Sequence, residues 1–171
     1  MSAAQAGMDD IAIRLGIDAL IAAYVDCIDE DRLEEWPDFF TEQCRYLVIS
    51  RADHAAGLRH GIIYAASHGM LTDRVMAMRK ANIFEPHRYR HIVGPTRVVR
   101  VDGGVADAQS NFFAARIMHD GGTQLFATGR YLDRIDVATV IEPPSWMVFS
   151  QRSVVRFGIA TKPWFPPGLG G

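Results

Sequence analysis

The sequence predicts an α+β fold in which N-terminal helices pack on a strongly curved, mostly antiparallel sheet. Two observations carry this reading. Through the first half of the chain, apolar side chains recur at three- and four-residue intervals, the signature of helices with one buried face. From Arg88 onward the period changes to two, and Asp102-Gly103-Gly104 and Asp120-Gly121-Gly122 divide the chain with residues that accept positive φ, as hairpin turns require. Helices that come first and strands that follow exclude alternating βαβ units.

The elements follow in order. Ile17, Leu20, Ile21, Tyr24, Val25 and Ile28 line one face of a first helix, which should end at the polar run Asp29-Glu30-Asp31. A short second helix should carry Leu33, Trp36, Phe39 and Phe40. Pro37 is tolerated in its first turn because the early N–H groups have no intrahelical partner. Residues 44–49 read as a first strand, and Leu71, Val75 and Met78 mark a third helix. Strands are expected over 88–101, 105–118, 123–135 and 145–157, with a connecting loop over 137–144. Such strands are long for a globular sheet, so the sheet should curl around the helices. The division expected is one domain over 1–160, with an N-terminal extension over 1–10, and a Pro/Gly-rich tail over 161–171.

Composition narrows the function. A chain of 171 residues, 49% hydrophobic and 22% charged, suits one globular domain that buries roughly two-thirds of its unfolded surface. A net charge of −2 and a sequence pI near 6.3 give no basic field for nucleic acid. No apolar run approaches the roughly 18 residues of a membrane span, and MSAAQAGMDD has neither the basic nor the apolar region of a secretory signal. A soluble, cytoplasmic protein is expected.

The cysteines and histidines are equally restrictive. Cys27 and Cys44 are too few for a secreted disulfide scaffold and read as buried thiols. Neither is followed by His in the short paired motifs of a Rieske cluster, whose two irons take thiolates and imidazoles respectively. Among the six histidines only His87 and His91 have the spacing of four that unites two imidazoles on a helix face, and Pro86 with the aromatic and β-branched residues around them indicates a strand. Hydrogen-bonded structural histidines are the expectation, with no metal site.

Two charge clusters of opposite sign stand out. Eight acids lie between Asp26 and Glu42, and six bases lie between Arg79 and Arg100. A solvated face accounts for either. The basic cluster also interleaves aromatic residues, and Arg and Tyr are enriched at protein interfaces, so Arg88, Tyr89, Arg90 and His91 form a candidate intersubunit strand. Trp36 and Trp146 read as core. Trp164 and Phe165 sit in a tail with three prolines, which cannot enter a sheet interior, and are candidates to pack on the surface or dock on a partner.

Several patches in this order carry a resemblance. They are YVDCIDEDRLEEWPDFFTEQCRYLV over 24–48, GMLTDRVMAMRKANIFEPHRYRHIVG over 69–94, Ser110-Asn111-Phe112 and Ala127-Thr128-Gly129-Arg130-Tyr131. Together they resemble the small (β) subunit of the multicomponent aromatic-ring-hydroxylating dioxygenases, with wording closest to the terephthalate, anthranilate and salicylate oxygenases. The resemblance implies the cone-shaped fold shared with ketosteroid isomerase and nuclear transport factor 2. It implies a chain that does no redox chemistry itself and joins a large (α) subunit holding a Rieske [2Fe-2S] cluster, a mononuclear non-haem iron and the pocket for an aromatic carboxylate. Three copies of each chain are implied, with electrons drawn from NAD(P)H through a reductase, and with a cis-dihydrodiol or a monohydroxylated ring as product.

A rival reading places an enzyme on the same cone. Asp26, Tyr46 and His91 would meet in an internal pocket, with Asp26 as base and His91 as its partner, and the chain would act alone as an isomerase or dehydratase.

Overall fold

The computed structural model describes residues 3–59, 61–81, 85–137 and 148–159. Helix α1 spans Ala3–Asp29 and takes in most of the stretch set apart by sequence as an N-terminal extension. Of its predicted face, Ile17, Leu20, Ile21 and Tyr24 enter the core and Val25 and Ile28 pack partly buried against it, with Cys27 buried beside them. The helix stops where the acidic run begins. Asp31 adopts φ 58°, the left-handed conformation that Asp tolerates better than most side chains. The Arg32 N–H then donates to Cys27 O and the Asp31 N–H to Ile28 O, a Schellman closure that satisfies the last carbonyls.

The expected second helix is reduced to one 3-10 turn, Trp36–Phe39, and Phe40 already begins the first strand. Pro37 removes a donor in a segment only four residues long, so the turn does not propagate. Trp36 and Phe40 nevertheless reach the core, in edge-to-face contact at 5.5 Å. Strand β1 spans Phe40–Ser50, longer at its start than the sequence indicates. Two small elements carry no clear periodicity in sequence: helix α2, Arg51–Ala55, capped by the Ser50 hydroxyl, and strand β2, Ile63–Ala65. Helix α3, His68–Ala81, buries Leu71 and Val75 as its spacing requires.

The remaining strands are β3 (His87–Val93), β4 (Arg97–Asp102), β5 (Val105–Met118), β6 (Thr123–Asp136) and β7 (Val148–Ile159). The single strand expected over 88–101 is thus two. Pro95 lacks the ladder donor and interrupts it, while Gly94 still donates to Asn111 O at 2.9 Å. Both pieces pair with the long β5, which is hydrogen-bonded to β3 along one half and to β4 along the other. The two Asp-Gly-Gly sequences make the expected hairpins, with positive φ at Gly103, Gly104 and Gly121. Residues 138–147, which include all but the first residue of the expected 137–144 loop together with Trp146, and the tail over 160–171 lie outside the described residues.

The sheet order is β2-β1-β7-β6-β5-β3, with β4 also on β5. All pairs are antiparallel except β1 with β7, so the sheet is mixed and its last strand returns beside its first. One row of paired residues crosses it: Ala65, Tyr46, Arg152, Asp133, Ala108 and Val98. The curled sheet holds α1 against its concave face, and the core lies between them. Gly61 marks a close approach: a Cβ there would collide with the Val48 carbonyl oxygen, to which Ile62 N–H donates at 2.7 Å. Gly61→Ala is therefore expected to push β2 off β1 and lower the thermal midpoint, whereas Gly57→Asn, in open space at positive φ, should have little effect in the same melt.

Candidate functional site

The end of α1 meets β3, and the two charge clusters that look separate in sequence meet there too. Asp29 closes the contact. Its Oδ2 accepts the His91 backbone N–H at 2.7 Å, and its Oδ1 lies 2.6 Å from His91 Nδ1. A carboxylate thus occupies a donor that an edge strand would otherwise offer to another chain. Beside it, Arg90 pairs with Glu30 at 2.8 Å and reaches the Asp29 carbonyl. Arg79, at the end of α3, donates to both Asp31 carboxylate oxygens at 2.9 Å and to Glu34 at 2.7 and 2.9 Å. Those hydrogen bonds hold the Glu34 carboxyl at about 2, well below its ordinary value. Four acids of one run (Asp29, Glu30, Asp31 and Glu34) and two bases of the other (Arg79 and Arg90), with His91, make one intramolecular clamp that joins the end of α1 to α3 and β3.

The residues of the rival enzyme reading do not converge. Asp26 is exposed and bound to Arg32 at 2.6 Å. His91 takes Asp29, one turn further along α1, as its partner. Tyr46 is buried, hydrogen-bonded with Tyr24, and burial pushes its hydroxyl well above the ordinary range. His87 is a structural histidine, its Nδ1 within 2.9 Å of the Glu85 carbonyl and its Nε2 within 3.0 Å of the Tyr89 hydroxyl. Both cysteines are free and buried, and burial raises the Cys27 thiol to about 11.

At the centre of the concave face lies a charge pair. Arg152 on β7 and Asp133 on β6 are direct cross-strand neighbours, and the side chains of both are fully buried. Arg152 Nη2 donates to Asp133 Oδ2 at 3.1 Å, and Nε approaches Oδ1 at the same distance with poorer alignment. Burial pushes the Asp133 carboxyl up to about 6 against the pull of the guanidinium. Three rings enclose the cation, with centroids 4.1 Å (Tyr24), 3.9 Å (Tyr131) and 4.3 Å (Phe149) from its central carbon. Tyr131 in turn stacks on Phe112 at 4.5 Å. Sequence reading overlooked the charge pair, although Tyr131, Asp133 and Ile135 share a parity that puts an acid on the buried side of β6.

The convex face carries the other half of the candidate strand. Arg88, Arg90 and Ile92 point outward, while Tyr89 and His91 are turned inward, with the Tyr89 ring tilted against Phe126 at 4.9 Å. Among the described residues Arg88 has no ion-pair partner. Trp164 and Phe165 lie outside the described residues.

The sequence that builds this cone matches a known family. The family model described as "Ring hydroxylating beta subunit" covers residues 24–155. The chain belongs to the ring-hydroxylating dioxygenase beta subunit family. The beta 1 subunit of the terminal oxygenase component of terephthalate 1,2-dioxygenase from Comamonas sp is 49% identical over 118 residues, 69% of this chain and 77% of that protein. The anthranilate 1,2-dioxygenase small subunit from Burkholderia cepacia is 33% identical over 132 residues, 77% and 79% of the two chains. A crystal structure of the beta subunit of an aromatic-ring-hydroxylating dioxygenase from Novosphingobium aromaticivorans superposes with a TM-score of 0.77 at 34% identity, covering 86% of this chain and 91% of that one. The ring-hydroxylating beta subunit fold expected from sequence is thus the fold present, and no helix among the described residues is long and apolar enough to cross a membrane.

Two predictions follow from this arrangement. Asp133→Asn or Arg152→Met alone strands a buried charge and is expected to cost about 3–5 kcal/mol in urea unfolding, while Asp133→Leu combined with Arg152→Met recovers much of it. The clamp gives a pH dependence. A carboxyl held below its ordinary value of 4.5 stabilises the fold above that pH and loses its contribution as pH falls through the folded value of about 2. The stability difference between the native chain and Glu34→Gln should therefore be flat above about pH 5 and shrink as the solution is acidified; exposure keeps it to about 1 kcal/mol or less.

Proposed function

We propose that this chain is the non-catalytic small subunit of an oxygenase whose large subunit carries the Rieske [2Fe-2S] cluster and the mononuclear iron, and that the assembly oxidises an aromatic carboxylate. Membership in the beta subunit family supports an association with a large oxygenase subunit. The observation that favours a scaffold is what the polar groups of the cone do: Asp29 bonds a strand N–H, and Asp133 is consumed by Arg152. Groups committed to structure in this way are not free to shuttle protons. The substrate class rests on relatives that are named for terephthalate and anthranilate.

On this reading three copies of each chain assemble, and the small subunits hold the large ones in register, so that the cluster of one lies within electron-transfer reach of the iron of its neighbour. Arg88 is the guanidinium of the basic run left to meet a partner chain, because Arg79 and Arg90 are engaged within the clamp. The test is coexpression with the large subunit. Light scattering should give the mass of three copies of each, and iron should follow the large subunit when the two are separated under denaturing conditions. Stoichiometric iron in the isolated small subunit would sink the proposal. Arg88→Ala should weaken retention of the large subunit without altering the circular dichroism of the isolated chain, and an unchanged assembly would remove Arg88 from the interface.

Among the described residues, the His91–Asp29 pair is the feature that would favour a cone enzyme. His91→Asn should leave turnover of the assembled oxygenase largely intact. Loss of an isomerase or dehydratase activity of the isolated chain, by the hundredfold to ten-thousandfold that removing a general base costs, would instead favour the rival.

A further inference from the structure

The convex face of the sheet is covered at one end and open at the other. Register puts Leu47 in one row of that face with Ser153, Leu132 and Gln109. Leu47 and Ile49 are buried there, where helix α2 packs on β1 and β7, and Leu132 lies partly buried against them. Toward β3 the same face is exposed. Ile92 on β3, Phe113 on β5 and Leu125 on β6 are 65%, 38% and 48% exposed. They are neighbours by register: Ile92 pairs with Phe113, and Leu125 pairs with Ala115, two residues further along β5. Large apolar side chains gathered in this way, rather than scattered singly, mark an interaction surface.

The patch sits among arginines. Arg88 pairs with Ile117 and Arg97 with Gln109, so each flanks Phe113 from four residues away along β5, roughly 13 Å on either side. The span of roughly 27 Å matches the width of one partner's share of a standard interface, about 800 Å². Among the described residues neither arginine has a carboxylate partner; Arg97 donates to the Gln109 amide oxygen at 2.8 Å. Counted by register from β3 to β6, the face presents six arginines against three aspartates, Asp102, Asp107 and Asp136, in a chain whose net charge is −2. A second copy laid face to face would set like charges together. Most acids of the 26–42 run are already engaged: Asp29, Glu30, Asp31 and Glu34 in the clamp, Asp26 and Glu35 on Arg32. The charge of this face therefore calls for an acidic surface on a different chain.

We propose, on the basis that the chain is an oxygenase small subunit, that the convex face centred on Phe113 is the docking site for the large subunit, whose contacting surface is apolar in the middle and acidic at the rim. Burial of Phe113, Ile92 and Leu125 supplies the attraction, in the pattern of an interface with an apolar core and a polar border. Arg88 and Arg97 set the rate and orientation of approach, because rim charges act mainly on the encounter.

Coexpression of the full chain, carrying a tag, with the large subunit tests it through retention and light scattering. Phe113→Asp should weaken the association roughly thirtyfold or more, the loss that marks a central hot spot, while the circular dichroism of the isolated chain stays native. Ile92→Ser combined with Leu125→Ser should act in the same direction and serves where an aspartate disturbs β5. Leu15→Asp, on the exposed side of α1, should leave retention unchanged. Raising the salt from about 0.05 to 0.5 M should weaken the native association, whereas the variant with Arg88→Glu and Arg97→Glu should start weaker and gain from the screening. Full retention by both the Phe113 variant and the serine pair would overturn the docking site. Dissociation of a self-associated small subunit by Phe113→Asp, with the large subunit still retained, would assign the face to a second copy and overturn it as well. If the native chain retains no large subunit, the small-subunit reading falls and the docking site with it.

Discussion

The fold depends on a cation and an anion that water never reaches. Arg152 and Asp133 sit side by side on β7 and β6, and β7 is also the strand that pairs in parallel with β1. A one-residue slip of β7 would turn Arg152 to the convex face and leave Asp133 alone in the core, at a cost of several kcal/mol. Only one register is tolerated on both sides of that strand. The rings of Tyr24, Tyr131 and Phe149 then have fixed positions around the guanidinium, and Tyr24 carries the constraint to α1.

The clamp at the end of α1 does for the edge of the sheet what the buried pair does for its middle. The Schellman closure at Asp31 turns the chain so that Asp29, Glu30, Asp31 and Glu34 face different partners. His91, Arg90 and Arg79 each take one or two of them. Surface ion pairs of this kind contribute little individually. The His91–Asp29 contact is different, because it is nearly buried and occupies a backbone donor of β3. It fastens the end of the helix to the edge strand.

Where sequence reading departed from the structure, the reason was local in each case. The second helix failed because four residues with a proline cannot propagate, although their apolar side chains reached the core regardless. The strand over 88–101 broke at Pro95 for want of one donor. Asp26 and Asp29 are both acids near the end of α1, and three residues of helix decide which of them faces β3. The periodicity shows Asp26 beside the apolar face but contains nothing about where β3 will lie.

The sequence by itself determined the class of fold, the extents of β5 and β6, the two hairpin turns and the buried face of α1, because each depends on spacing within a short window: period two, period 3.6, or a glycine where φ must be positive. It also carried the family, through patches whose order survives along the chain. Tertiary structure alone decided which charges meet. Asp133 and Arg152 are nineteen residues apart, Asp29 and His91 sixty-two, and Asp31 and Arg79 forty-eight. Pairing across such distances is set by strand register and by the path of the curled sheet, both of which come from the whole core folding at once, so no local pattern of residues could have announced it.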